Sequence, residues 1–202
     1  MTLPTNHTQL LNWLIEKHGL KSYLELGVQS AKNNFNKINV EDKWGVDPNP
    51  DDATKILNRI HLNTSDEYFD AMFDAKFDLI FIDGLHHADQ VKKDFENSLR
   101  CLNDNGFIVI HDTCPENEAG TKVPRETRRW WGDVYKFVMT LDSYPGIEHT
   151  TLEMDEGCTI VWKDASVEAV PCIFGDEGVT WQKYLDWKDR YYNIVTPESF
   201  FK

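Results

Sequence analysis

At 202 residues, with 41% hydrophobic and 27% charged residues, the chain has the size and balance of one globular domain able to bury a core of its own. Its formal net charge of −13 (21 Lys and Arg against 34 Asp and Glu) argues against nucleic acid or an anionic membrane as partner, since both require a positive field. The four cysteines (Cys101, Cys114, Cys158, Cys172) form no C-x-x-C pair, and no apolar run reaches the ~18 residues of a membrane span. Residues 1–7 lack a basic, apolar leader pattern, so the expectation is a cytoplasmic protein with free thiols.

In chain order, Leu10, Leu11, Trp13, Leu14 and Ile15 predict an amphipathic helix within residues 1–20, closing near Gly19. Ser22-Tyr23-Leu24-Glu25-Leu26 reads as a first strand. Trp44-Gly45-Val46-Asp47 reads as a second, stopped by Pro48-Asn49-Pro50, and Arg59-Ile60-His61-Leu62 as a third. Thr64-Ser65-Asp66-Glu67 has the form of a helix start, a capping Thr or Ser followed by acids. Phe77-Asp78-Leu79-Ile80-Phe81-Ile82 suits a central strand buried on both faces. A helix over 88–102 leads through Asn105-Gly106 into a fifth strand over 107–110. Residues 113–129 form a long polar loop read as a lid, and a helix follows over 133–141. A hairpin of Ile147–Leu152 and residues 158–162 closes the sheet, and a C-terminal extension over 166–202 carries an aromatic-rich helical segment. The alternation predicts one α/β domain over 1–202, Rossmann-like, with a mostly parallel sheet and helices on both faces.

Glu25-Leu26-Gly27, with Asp47 ending the next strand, is a nucleotide-type β-α-β pattern in which Asp47 accepts hydrogen bonds from ribose hydroxyls. A dinucleotide pyrophosphate asks for three spaced glycines, whereas here Gly27 is followed by Val28, Gln29, Ser30 and Ala31. That favours S-adenosylmethionine, which has no phosphate. Its approach uses Gly27, and its ammonium favours a carboxylate such as Glu25. Ser65 or Asp66 would lie near the adenine, or else serve as helix caps.

Ligands of open α/β sheets sit beyond the carboxyl ends of the strands, where this chain carries Asp83 on strand four and His111-Asp112 on strand five. Two carboxylates on neighbouring strands repel unless a proton or cation lies between them. One reading places a divalent cation on Asp83, Asp112 and His111. Oxygen ligands favour Mg²⁺ or Mn²⁺, and the imidazole shifts preference towards Mn²⁺ or Fe²⁺. In the other, Asp83 orients the cofactor, and His111 and Asp112 cap a strand or contact the substrate. His86 is the preferred general base, working with Asp83, and His87 is its rival.

The segments Phe81-Ile82-Asp83-Gly84-Leu85-His86, Ala88-Asp89-Gln90-Val91 and Ile110-His111-Asp112-Thr113 resemble a family of small class I S-adenosylmethionine-dependent methyltransferases. This family is related to sugar O-methyltransferases and cephalosporin hydroxylase-like proteins. Trp130-Trp131-Gly132-Asp133-Val134-Tyr135-Lys136 is similar to its W-x-G-D-V-x-K segment, and residues 193–200 to its ending. The resemblance implies a seven-stranded sheet with an antiparallel last strand, and the cofactor over Gly27 and Asp47. It also implies a cation on Asp83, His111 and Asp112. Relatives usually carry another glycine where this chain has Ser30-Ala31-Lys32.

The expected activity is O-methylation of a small polar acceptor, a sugar or sugar nucleotide, with Mg²⁺ or Mn²⁺ assisting. The alternatives are an iron-dependent oxygenase on the same residues and a non-catalytic ligand-binding member. Trp130 and Asp133 could face a sugar, or else pack in the core and cap a helix. Lys122, Arg125, Arg128 and Arg129 form a basic patch on the lid, suited to an anionic acceptor or simply solvated.

Overall fold

Strands whose residues are apolar on both faces demand cover on both faces, and the fold supplies it. The computed structural model describes residues 3–174 and 178–201. Five strands run parallel: β1 (Ser22–Leu26), β2 (Asp42–Val46), β3 (Ile60–His61), β4 (Phe77–Ile82) and β5 (Leu102–His111). β7 (Cys158–Lys163) inserts antiparallel between β5 and β6 (Ile147–Leu152), and β8 (Ile194–Val195) pairs parallel with β6. The order is β3-β2-β1-β4-β5-β7-β6-β8. This is the expected Rossmann-like sheet with its antiparallel strand, plus a two-residue eighth strand at the edge where seven were expected.

The helices are α1 (His7–His18), α2 (Asp52–Lys55), α3 (Ser65–Ala71), α4 (Ala88–Cys101), α5 (Val134–Val138), α6 (Trp181–Tyr191) and α7 (Pro197–Phe200). Alternate residues of the central strands feed two cores. Leu24, Leu26, Ile80, Ile82, Ile108 and Ile110 pack towards α3, α4, α5 and α6, while Tyr23, Leu79, Phe81, Val109 and Ile160 pack towards α1 and residues 28–38. In α1, Asn6 caps the first turn, Gly19 ends the helix at φ +66, and Leu10, Leu11 and Leu14 are fully buried. Each of those leucines contributes about 1.5–3 kcal/mol. Thr64 caps α3 through a capping box with Glu67, so Ser65 is the first helical residue rather than the cap.

Three local expectations are corrected. The β1–β2 connection holds no α-helix, only a 3-10 turn over Phe35–Lys37. Asn33, Asn34 and Asn36 fall in that stretch, and asparagine side chains compete with helical hydrogen bonding. Strand five begins at Leu102 directly after α4 and bulges, since Phe77 pairs with Leu102 but Leu79 with Phe107. Finally, the helix expected over 133–141 stops at Val138 and resumes as a 3-10 turn over Leu141–Ser143. Among the described residues no helix is long and apolar enough to cross a membrane, and all four cysteines are free.

Candidate active site

The sheet register puts Leu26, Ile82 and Ile110 side by side, so Gly27, Asp83 and His111 leave β1, β4 and β5 at one level. Gly27 sits at φ +91, and a Cβ there would lie 2.1 Å from the Asp83 carbonyl oxygen. The close approach that requires glycine is therefore to the end of β4.

The cofactor-side residues are placed as follows. Asp47 ends β2 and organises the turn opposite Gly27: one carboxylate oxygen accepts from the Gln29 N–H at 2.7 Å and the other from the Asn49 N–H at 2.8 Å. Glu25 is only 2% exposed and turns into the core, where the Tyr23 hydroxyl (2.6 Å) and the Asn34 amide (2.8 Å) both donate to it. Burial pushes its carboxyl up to about 8. Ser65 and Asp66 accept from the Gln90 side chain of α4 at 3.2 and 3.0 Å. Gly27 and Asp47 fit an adenosyl ligand, one as a bare backbone edge and the other as a ribose acceptor held from behind by two amides. Glu25 is aimed at the protein's own hydroxyl and amide.

At the ends of β4 and β5 the sequence-selected acids and histidines converge. His86 Nε2 lies 3.4 Å from an Asp83 oxygen and 3.2 Å from an Asp112 oxygen, and His111 Nδ1 lies 3.3 and 3.4 Å from the same two carboxylates. The ligand atoms of Asp83, His86 and Asp112 lie within 4.8 Å of one another. Burial opposes the charge on His111 and His86, but the surrounding aspartates lift both above the ordinary histidine range. Burial likewise opposes ionisation of Asp83, yet His111 and His86 hold it below the usual carboxylate range. Two carboxylates and two imidazoles thus meet at one edge of the sheet, where either a proton or a divalent cation would relieve the repulsion between the acids. The donor set of two carboxylates and an imidazole fits a hard-to-borderline dication of the Mn²⁺ type. Asp112 holds φ +58, an uncommon backbone state for a residue with a Cβ. His87 opens α4 as its N-cap residue, and its ring meets that of Trp130 at a right angle, with centroids 6.2 Å apart at 87°.

Trp130 stacks on His86, with ring centroids 5.2 Å apart at 16°, and donates from its indole N–H to the Lys122 carbonyl. Its other neighbour is the Arg125 guanidinium, 5.6 Å from the ring. Trp130 is therefore an outer wall on His86. Trp130→Ala is expected to lower turnover about tenfold, the size of a lost aromatic pair, with an unchanged fold by circular dichroism and partial rescue in Trp130→Phe. A Trp130→Ala enzyme with wild-type turnover would show that the stack has no part in placing His86.

Asp133 has a different task from either one expected. Its carboxylate accepts from the Ala88 N–H at 2.7 Å and from Lys136 at 2.9 Å, so it caps the neighbouring α4 and not its own helix. The basic patch is largely paired internally: Arg129 binds Glu156 and Glu116, and Lys122 binds Glu118.

Two participants escaped the sequence reading. Asp155, in the turn between β6 and β7, lies 3.8 Å from His111 Nε2, and His7, the first residue of α1, lies 2.6 Å from Asp155. They stand 148 positions apart, so only the sheet register could have linked them. Beside them opens a cavity of about 540 Å³ whose lining includes Cys114, Glu116, Arg129, Asp155, Trp181 and Tyr184.

Against known proteins, the family described as "Methyltransferase domain" matches residues 14–113. No curated protein matches. Among solved structures, one assigned as a caffeoyl-CoA O-methyltransferase from Staphylococcus aureus is similar with a TM-score of 0.60 at 22% identity, covering 80% of this chain and 86% of that one. The SAH-bound methyltransferase PaMTH1 of Podospora anserina gives 0.60 at 17% identity, covering 78% and 77%. The Bacillus cereus O-methyltransferase in complex with SAH gives 0.56 at 14%, covering 81% and 83%. At these identities the structures speak for the fold, and the family match runs from within α1 through the end of β5. Over residues 14–113 the chain matches the methyltransferase-domain family, and its fold is that of the class I S-adenosylmethionine-dependent methyltransferases.

Proposed function

We propose that this chain transfers the methyl group of S-adenosylmethionine to a hydroxyl of a small polar acceptor, with a divalent cation of the Mg²⁺ or Mn²⁺ type at the strand ends. The observation that carries the reading is the convergence of Asp83 and Asp112 with two histidines at the carboxyl edge of β4 and β5. The O-methyltransferases among the similar structures, one solved with SAH, support it.

The two histidines contact the same carboxylates but differ in depth. His111 is 9% exposed and His86 19%. The inner His111, with Asp83 and Asp112, would hold the cation, which supplies a positive charge that lowers the pKa of the acceptor hydroxyl. The outer His86 takes the hydroxyl proton at Nε2, made more basic by the two aspartates beside it. Trp130 keeps that ring in place, and Asp47 and Gly27 hold the adenosyl side. The cavity lined by Trp181, Tyr184 and Glu116 borders the cluster through Asp155, and its mixture of aromatic faces and carboxylates suits a saccharide-like acceptor.

Calorimetric titration tests the cofactor: S-adenosylmethionine or SAH should bind, and NAD should not. The reverse result overturns the reading, and binding without transfer to any hydroxyl acceptor points to a non-catalytic member. His86→Gln should cut transfer about 100-fold with little change in cofactor affinity. The pair of imidazoles beside two carboxylates also favours a second reading, an iron-dependent oxygenase. Stoichiometric iron with oxygen consumption, and no methyl transfer, would select it.

A further inference from the structure

We propose that His7, His111 and Asp155 form a second cation site, suited to a borderline transition-metal dication such as Zn²⁺ and separate from the Asp83–Asp112 pair. The proposal does not depend on methyl transfer. The ligand atoms of these three residues lie within 4.8 Å of one another. His7 Nδ1 stands 2.6 Å from an Asp155 oxygen, and His111 Nε2 points at that same oxygen from 3.8 Å, beyond hydrogen-bond reach. His111 Nε2 is buried with no hydrogen-bond partner, and its residue is 91% buried (9% exposed). A buried ring nitrogen normally finds a partner, because leaving it unpaired costs about 1–3 kcal/mol. Here the nitrogen faces a carboxylate and a second imidazole across a gap too wide for a proton bridge, a spacing that a metal–ligand bond on each side would fill.

The rings are also held in place. His7 stacks on Phe81, with centroids 5.3 Å apart at 19°, and its ring meets His111 edge-on at 4.7 Å. Two imidazoles and one carboxylate form the donor set of open, three-ligand zinc centres, whereas Mg²⁺ and Ca²⁺ prefer all-oxygen shells. His111 offers Nδ1 to Asp83 and Asp112 and Nε2 to this second site, so one imidazole lies between both. The bland account is a clamp in which Asp155 merely receives the His7 N–H and ring nitrogen at the start of α1.

Zinc titration of the full-length chain, in competition with a chromophoric chelator and in excess Mg²⁺, separates the two. The expected result is at least one zinc equivalent that weakens about 100-fold in His7→Ala and in Asp155→Asn, while His86→Gln leaves it in place. In the wild-type protein, imidazole nitrogen NMR should show His7 Nδ1 and His111 Nε2 shifting together on zinc addition. This second readout decides the matter should either variant fold poorly. Zinc binding unchanged in folded His7→Ala, or zinc shifts that spare His7, would overturn the site and leave the clamp.

Discussion

Asp112→Asn is expected to abolish methyl transfer, a fall of roughly a thousandfold, while S-adenosylmethionine still binds within about threefold of wild type. The substitution isolates charge from shape. Asp112 sits at φ +58, a state that asparagine tolerates far better than alanine, so the backbone stays where β5 leaves it. What disappears is one of the two carboxylates that His86 and His111 share. Breaking a buried ion pair costs about 3–5 kcal/mol, enough for that rate loss if the pair also raises the basicity of His86 and supplies a ligand to the proposed cation. The cofactor-side groups, Gly27 and Asp47, are held by Asp83 backbone contact and by the amides of Gln29 and Asn49, none of which involves Asp112. Parallel measurement of turnover and cofactor affinity checks both halves. Undiminished turnover would remove both the cation and the shared-carboxylate account, and lost affinity would move Asp112 to the cofactor side.

The strand ends were legible from the sequence because they depend on local pattern alone. A short apolar run such as residues 79–82, bounded by turn-forming residues, suits a central strand, and the carboxyl ends of such strands form the ligand-binding edge. Asp83, His86, His111 and Asp112 followed from that single step. The residues that escaped are those whose meaning is set by distant partners. His7 looks like an ordinary helix-start residue, and Asp155 like part of a turn, until the pairing of β5 with β7 brings the β6–β7 turn to His111. Asp133 is similar: its position predicts a cap for its own helix, but tertiary contact gives it the first amide of α4. The absent helix between β1 and β2 has a further cause. The β-α-β pattern was inferred from spacing, and spacing does not distinguish a helix from an asparagine-rich turn that reaches back to Glu25 through Asn34.

That inward reach makes Glu25 the most informative residue on the cofactor side. Its carboxyl is pushed from 4.5 to about 8 by burial, so the folded protein holds this proton more tightly than the unfolded chain does. The stabilising share of that difference is fully present below about pH 4.5 and is lost as pH rises through about 8. Glu25→Gln keeps the shape, still accepts from the Tyr23 hydroxyl, and never ionises. The two proteins should therefore melt together near pH 4.5. By pH 9 the variant should be more stable by about 3–5 kcal/mol, a gain of several degrees in Tm. Thermal unfolding at pH 4.5, 7 and 9 measures this directly, and parallel curves would show that the burial penalty is not felt. The same variant addresses the ligand. With its carboxylate turned to Tyr23 and Asn34, Glu25 is expected to leave S-adenosylmethionine affinity within about threefold on substitution. A large loss would instead mean that the cofactor's ammonium draws the carboxylate out of the core and strips its proton, in which case wild-type binding must release a proton in calorimetry and Glu25→Gln must not.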